Sequence, residues 1–311
     1  MMISYIAYAA DSQIRYEATS GGVGSAIIKY LFDNQIIQTS ITFDYDCNSL
    51  QYVPRLIYSY DEYRITGSIY HEIRLIQFIK DNLYKIRGGF ACFVLPCQTL
   101  AIRTILEKKG IRSILIGLTC SSQQNIGATC YLLKRMRIKE RDVERIQYRG
   151  NGWPSGIQIK LKNNKEIFVP NNNSIWTDIF HSRIFVMPRC LRCRVTISNK
   201  VDIALADPWI RAFVKNDNIG NTLCFIMTDV GNNIFKKMLY EKIIIAKYFS
   251  EIDAVISQNS TIVRKNKYVN GGRKLGIFLY LISNDLYKKI ILKYPLAFKL
   301  HVKILKPIFE R

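Results

Sequence analysis

"GGFACFVLPCQTLAIRTILEKKGIRSILIGLTC", residues 88–120, contains one local plan twice over. In each copy a short run of small and branched apolar residues ends at a cysteine, first Cys97 and then Cys120. Between them "QTLAIRTILEKKG" spaces its apolar side chains for a helix and stops at Gly110. Short continuous apolar strands alternating with amphipathic helices predict a parallel sheet buried on both faces. Ligands in such sheets collect beyond the carboxyl ends of the strands, where both cysteines fall.

The same grammar extends outward. "ISYIAYA", residues 3–9, reads as a strand, and "EATSGGVGSAIIKYLFDN", residues 17–34, as a glycine loop opening an amphipathic helix from about Val23. Thr19 and Ser20 are the expected caps of that helix. Residues 36–45 and 53–58 are rich in strand formers, and "SIYHEIRLIQFIKDNLY", residues 68–84, has helical spacing. From 143 to 169 the chain turns to β, with Gly and Pro marking hairpin turns; strands are expected at 201–206 and 222–227, and mainly helix after about residue 230. The prediction is an α/β fold: a mixed sheet with flanking helices, a β-rich insertion and a helical C-terminal extension, divided as residues 1–240 and 241–311.

With 311 residues and 49% hydrophobic composition the chain can bury a substantial core. Its opening "MMISYIAYAADSQ" lacks the pattern of a secretory leader, and no apolar run nears the roughly 18 residues of a spanning helix, so a cytoplasmic protein is expected. The formal charge of +21, from 45 Lys and Arg against 24 Asp and Glu, attracts nucleic acid, anionic lipid or an acidic protein. The basic residues are spread along the chain without an RNA-binding aromatic signature or zinc-finger spacing, which disfavours nucleic acid.

Eight cysteines are many for a reducing compartment, where clustered thiols bind metal or do redox chemistry more often than they form disulfides. Cys190 and Cys193 form a C-x-x-C pair whose short turn lets both sulfurs face one way. No second pair completes a zinc knuckle; Cys97 and Cys120 stand singly after separate strands. Thiolates drawn one, one and two from scattered loops suit a [4Fe-4S] cube, with zinc and no metal as the alternatives. Cys47, Cys92, Cys130 and Cys224 default to small apolar residues.

Three further segments can hold a ligand. In "ATSGGVGSA", Gly21, Gly22 and Gly24 permit close backbone approach and precede a helix N-terminus that favours an anion, although the segment is neither a dinucleotide fingerprint nor a P-loop. In "YRGNGWPSG", residues 148–156, Arg149 beside Gly152 and Trp153 suits a flat anionic ligand or a hairpin turn with a packed Trp. Asp207 and Trp209 follow a strand end. His71, in an expected helix, His181 and His301, in a basic tail, have no catalytic context; surface or packing roles are expected for His71 and His301.

Taken in order, "EATSGGVGSAIIKYL", "GSIYHEI", "LPCQTLAIRTIL", "IGLTC", "YRGNGWPSG", "CLRCRVTISNKVDIALADPW" and "NIGNTLCFIMTDVGNNIF" resemble the coenzyme F-420 hydrogenase/dehydrogenase beta-subunit family over about residues 3–240. The resemblance implies an oxidoreductase passing electrons between FAD and a [4Fe-4S] cluster. Carried over, Cys97, Cys120, Cys190 and Cys193 become the cluster ligands. Thr19, Ser20, Gly21 and Gly22 become the flavin loop, with Arg149, Gly152, Trp153 and Asp207 as further flavin or substrate contacts. Val94-Leu95 stand where the family has Gly-Thr before Pro-Cys-Gln, and Ala206 precedes Asp207 where Gly is common; these departures weigh against coenzyme F-420 as partner. An acidic ferredoxin suits the basic chain better. Short members of this kind accompany bacterial surface-polysaccharide genes, which implies a small precursor as substrate. The rival expectation is a non-catalytic or zinc-stabilised binding protein on the same scaffold.

From Arg273 onward nine Lys and Arg face two acids among apolar clusters. Such a segment can rest on an anionic membrane surface or pack on the core as a helical cap with a solvated lysine face.

Overall fold

The structure, a computed structural model, describes residues 3–210, 213 and 217–310, the side chains at 268, 269, 274 and 305–310 excepted. An eight-stranded mixed sheet organises it, in the order β11-β1-β10-β9-β5-β4-β2-β3. These strands are β1 (Ile3–Ala9), β2 (Thr39–Asp46), β3 (Gln51–Ile57), β4 (Phe90–Val94), β5 (Ser113–Leu118), β9 (Ile203–Ala206), β10 (Thr222–Ile226) and β11 (Ile244–Phe249). β2, β4, β5 and β9 run parallel, and β3, β10, β1 and β11 add antiparallel pairs.

Period-two alternation explains why both faces are covered. Ala91, Ile114, Ile116, Ile203 and Leu205 point to one face, under α2 (Val23–Asp33) and α7 (Asp229–Tyr240). Phe90, Cys92, Leu115 and Ala204 point to the other, against α3 (Leu75–Asn82) and α4 (Thr99–Lys108). A short α1 (Ser12–Glu17), which no sequence signal announced, is capped by the Asp11 carboxylate accepting from the Gln13 and Ile14 amides.

A second core lies beside the sheet. The insertion forms a three-stranded meander, β6 (Val143–Gln147), β7 (Gly156–Leu161) and β8 (Glu166–Pro170). It shares buried apolar side chains with α5 (Gly127–Arg135), α6 (Ile175–Ser182), α11 (Asp285–Lys293) and α12 (Pro295–Glu310). Three more helices, α8 (Glu251–Ser257), α9 (Asn259–Asn270) and α10 (Arg273–Ser283), connect β11 to that core.

Several local expectations change. Residues 68–74 are irregular and helix begins only at Leu75; Ile69 and Ile73 mimic helical spacing, but the segment makes an isolated bridge from His71 to Gln124. β11, beyond the expected boundary at 240, extends the main sheet beside β1. In the basic extension Leu275, Phe278 and Ile282 pack with Leu191, inside the C-x-x-C turn, and Phe298 and Val302 enter the second core. That apolar face forms the expected helical cap. No helix among the described residues is long and apolar enough to cross a membrane.

Candidate functional site

Because β4, β5 and β9 are parallel, the loops after them emerge at one edge. They carry Leu95-Pro96-Cys97, Thr119-Cys120 and Asp207-Pro208-Trp209. A 3-10 turn at Pro188–Arg192 delivers Cys190 and, immediately after it, Cys193, whose amide donates to the Cys190 carbonyl at 3.3 Å. The four cysteines line one small cavity of about 80 Å³, together with Arg189 and Lys265.

The four sulfurs come from three separate chain segments. Among the described residues no three His, Cys, Asp or Glu side chains converge on one metal position. A zinc ion needs its sulfurs at about 2.3 Å from a common point, whereas each iron of a cube takes one sulfur, so its ligands stand apart around a cage. Donors are aimed at the thiols: the Gln123 amide donates to Cys190 Sγ at 3.5 Å, and Lys265 Nζ to Cys193 Sγ at 3.7 Å. Burial raises the Cys120 thiol to about 12 against the opposing pull of Lys265. Burial and then the neighbouring Cys193 and Cys190 raise Cys97. Without metal these are protonated thiols, which cluster binding deprotonates. Cys92 and Cys224 lie in the cores and Cys130 packs against the second one, each away from the cavity.

A cleft of about 580 Å³ opens beside this cavity and shares Leu95, Cys120 and Gln123 with it. Its size is that of a cofactor or substrate site. The start of α2 forms one wall. Gly22 caps that helix at φ 75°, with no side-chain hydrogen bond to its first amides, which therefore suit an anionic group such as a flavin pyrophosphate. The expected caps do other work: Thr19 Oγ1 meets Ser68 Oγ at 3.2 Å and Ser20 Oγ meets Thr222 Oγ1 at 3.5 Å. Gly21 does not reach the cleft wall; a Cβ there would lie 2.6 Å from the Ala7 carbonyl, so it lets the loop cross β1.

Against the loop that leads into α2 stands a buried ion pair. Arg149, 3% exposed, donates from Nη1 to Asp207 Oδ2 at 2.5 Å and from Nη2 to the Thr19 carbonyl at 3.1 Å. Burial disfavours the charged guanidinium, but Asp207 and Tyr70 outweigh it, and Arg149 holds its proton more tightly than usual. Its guanidinium lies 5.1 Å from the Trp153 ring centre and 5.8 Å from that of Trp209. Trp209 lines the cleft; Trp153 and Gly152 do not, and Trp153 instead backs the arginine from the buried side. A Cβ on Gly67 would come within 1.8 Å of the Arg149 carbonyl, so the chain can pass here only as glycine, at φ 68°.

His71 and His301 are structural. His71 Nε2 accepts from the Tyr52 amide at 2.8 Å while Nδ1 meets the Glu72 carbonyl. His301 Nε2 donates to the Ser182 carbonyl at 2.9 Å and Nδ1 accepts from the Tyr287 hydroxyl at 2.7 Å. Burial lowers the pKa of both. His181 lies on the cleft wall. Three site residues escaped sequence reasoning: Tyr70, on the cleft wall beside Arg149; Gln258, whose amide donates to the Asp207 carbonyl at 2.8 Å; and Lys265. The "GSIY" stretch held a signal for Tyr70, and none marked the other two.

No curated protein matches the chain. Among solved structures, a chain of the F420-reducing [NiFe] hydrogenase complex from Methanosarcina barkeri superposes with a TM-score of 0.65 at 17% identity, over 88% of this chain and 93% of that one, a likeness of fold. Two family models match: Coenzyme F420 hydrogenase/dehydrogenase, beta subunit N-term, over residues 4–80, and its counterpart for the carboxyl-terminal part of the same beta subunit, over residues 89–251. Together they account for most of the chain, which belongs to the coenzyme F420 hydrogenase/dehydrogenase beta-subunit family.

Proposed function

We propose that the protein is an iron-sulfur flavoprotein oxidoreductase, in which Cys97, Cys120, Cys190 and Cys193 hold a [4Fe-4S] cluster and the adjoining cleft holds FAD. The observation that carries this is the four thiols, brought from three chain segments around one cavity that shares Cys120 with the large cleft. A flavin exchanges electrons in pairs or singly and a cluster moves one at a time, so the two together couple a two-electron substrate to a one-electron carrier.

The chain's own groups then have defined tasks. The uncapped start of α2 binds the anionic part of the flavin. Asp207 fixes Arg149 as a permanent cation at the cleft wall, and Trp209 supplies a flat apolar surface beside it. Exposed Cys97 gives a separate carrier access to the cluster cavity. Assembly with a partner protein is supported by the hydrogenase complex that contains the structural neighbour. An acidic ferredoxin is the carrier we favour, because its charge complements the +21 chain. The substrate is a small molecule, with a surface-polysaccharide precursor the first class to test, and coenzyme F-420 the alternative hydride partner. The enzyme works in the cytoplasm, where thiols stay reduced.

Leu286, Ile290, Leu296, Leu300 and Ile304 remain exposed on α11 and α12 among Lys289, Lys293, Lys299 and Lys303, which supports a peripheral contact with anionic membrane. Anionic vesicles should sediment the full chain at low salt but not a Leu296→Glu/Leu300→Glu variant; equal sedimentation removes the contact.

The electron path is tested by adding a reduced ferredoxin anaerobically to protein loaded with iron and FAD. Both visible chromophores should bleach in the wild type, and Cys97→Ser should leave the flavin bound but slow to bleach. Equal flavin bleaching rates in the two would contradict the route through the cluster.

A further inference from the structure

Lys265 is a lysine, 1% exposed, with no carboxylate partner among the described residues. Lysine is among the residues least often buried unless paired, and a buried ammonium needs acceptors on every side that water has left. Lys265 finds two. Its Nζ donates to the Val195 carbonyl at 2.5 Å and lies 3.7 Å from Cys193 Sγ, in the wall of the cavity that the four cysteines line. The other cation at this cavity is differently placed. Arg189 is exposed, pairs with Glu72 at 2.5 Å and donates to Gln123 Oε1 at 3.1 Å, so a carboxylate already balances it.

The lysine also arrives from an unusual direction. α9 lies beyond residue 251, where the match to the family ends. It packs on the 3-10 turn that carries Cys190, and its Arg264 donates to Ser121 Oγ at 2.5 Å, on the loop that follows Cys120. One helix therefore touches both sides of the thiol cavity and inserts a single uncompensated cation into it.

We infer that Lys265 is the potential-setting residue of the cluster site: its charge, held against Cys193, favours the reduced cluster and raises its reduction potential. This rests on the cluster assignment made above. The physical ground is general. A cluster ligated by four thiolates is anionic, reduction adds one electron, and a cation within the same low-dielectric pocket stabilises the more negative state more strongly. Hydrogen bonds to the ligand sulfurs act in the same sense. Lys265 is a tuning residue; it leaves the ligand set unchanged.

The test is an anaerobic redox titration of the full-length, cluster-loaded protein, followed by the spectroscopic signal of the reduced cluster, with iron counted on each sample. Lys265→Gln keeps a donor for the Val195 carbonyl and removes the charge; Lys265→Met removes both; Lys265→Arg keeps the charge. The two neutral variants should shift the reduction equilibrium at least tenfold toward the oxidised cluster, about 59 mV for a one-electron couple. The arginine variant should stay near the wild-type midpoint. Wild-type midpoints in both neutral variants at full iron content would overturn the inference. A wild-type chain that takes up no iron would overturn the cluster assignment itself, and this inference with it.

Discussion

Replacing Asp207 with Ala tests the electrostatic centre of the cleft. The mutation leaves Arg149, 3% exposed, with the Thr19 carbonyl at 3.1 Å, the neighbouring Tyr70 and two indole rings, and without its carboxylate. Removing one partner of a buried pair costs about 3–5 kcal/mol, because the remaining charge is stranded. The Asp207 side chain is 15% exposed, so water enters on deletion and the expected loss lies near the lower end, about 3 kcal/mol. At about 2 °C per kcal/mol for a chain of this size, the melting temperature should fall by about 6 °C. Circular dichroism on heating reads the melting shift, and gel filtration followed by absorbance reads the flavin retained, which should also fall. Replacing Arg149 and Asp207 together by Leu should restore much of the stability, since apolar groups of similar volume substitute well for a buried ion pair. A loss below about 1 kcal/mol in Asp207→Ala, or a double variant as unstable as the sum of the singles, would refute the reasoning.

Three further outcomes follow from the geometry. Ser at Cys97, Cys120, Cys190 or Cys193 should lower bound iron after anaerobic reconstitution, while Cys130→Ser, outside the cavity, should keep the wild-type count. Gly67→Ala should cost about 2–4 kcal/mol and reduce flavin retention, because its Cβ collides with the Arg149 carbonyl at positive φ; a wild-type melting curve would contradict this. His71 and His301 hold folded pKa values below their ordinary 6.5, so between those values and 6.5 the unfolded chain binds more protons and stability rises with pH. The urea midpoint should therefore drop from about pH 7.5 to about pH 5.5, and His301→Gln should flatten part of that slope; a midpoint that rises on acidification would contradict the assignment.

The parallel centre of the sheet was legible because β4 and β5 are buried on both faces, and their apolar runs end abruptly at Cys97 and Cys120. β11 was not, because at the sheet edge side chains on both of its faces reach solvent: Ile245 and Tyr248 are exposed beside Lys247, and the alternation dissolves into a helical-looking tail. The irregular run before Leu75 was hidden by Ile69 and Ile73, whose helical spacing instead serves packing against the second core beside the His71–Gln124 bridge. At the site, the four cysteines, Arg149 and Asp207 could be named from sequence. Their meeting could not, since the ion pair joins residues 58 positions apart. Lys265 and Gln258 lay beyond reach altogether, for a lysine in a polar helix and the glutamine that precedes that helix show their burial only once the helix has docked.

The most direct test is to purify the protein anaerobically, record its visible spectrum, and determine iron, zinc, acid-labile sulfide and flavin on the same sample. Flavin bands over a broad shoulder near 400 nm, with about four iron and four sulfide per chain and no zinc, are the predicted result. A colourless chain that stays iron-free after reconstitution, or that carries one zinc in the cysteine cavity, would contradict a redox role and favour a binding protein on this scaffold.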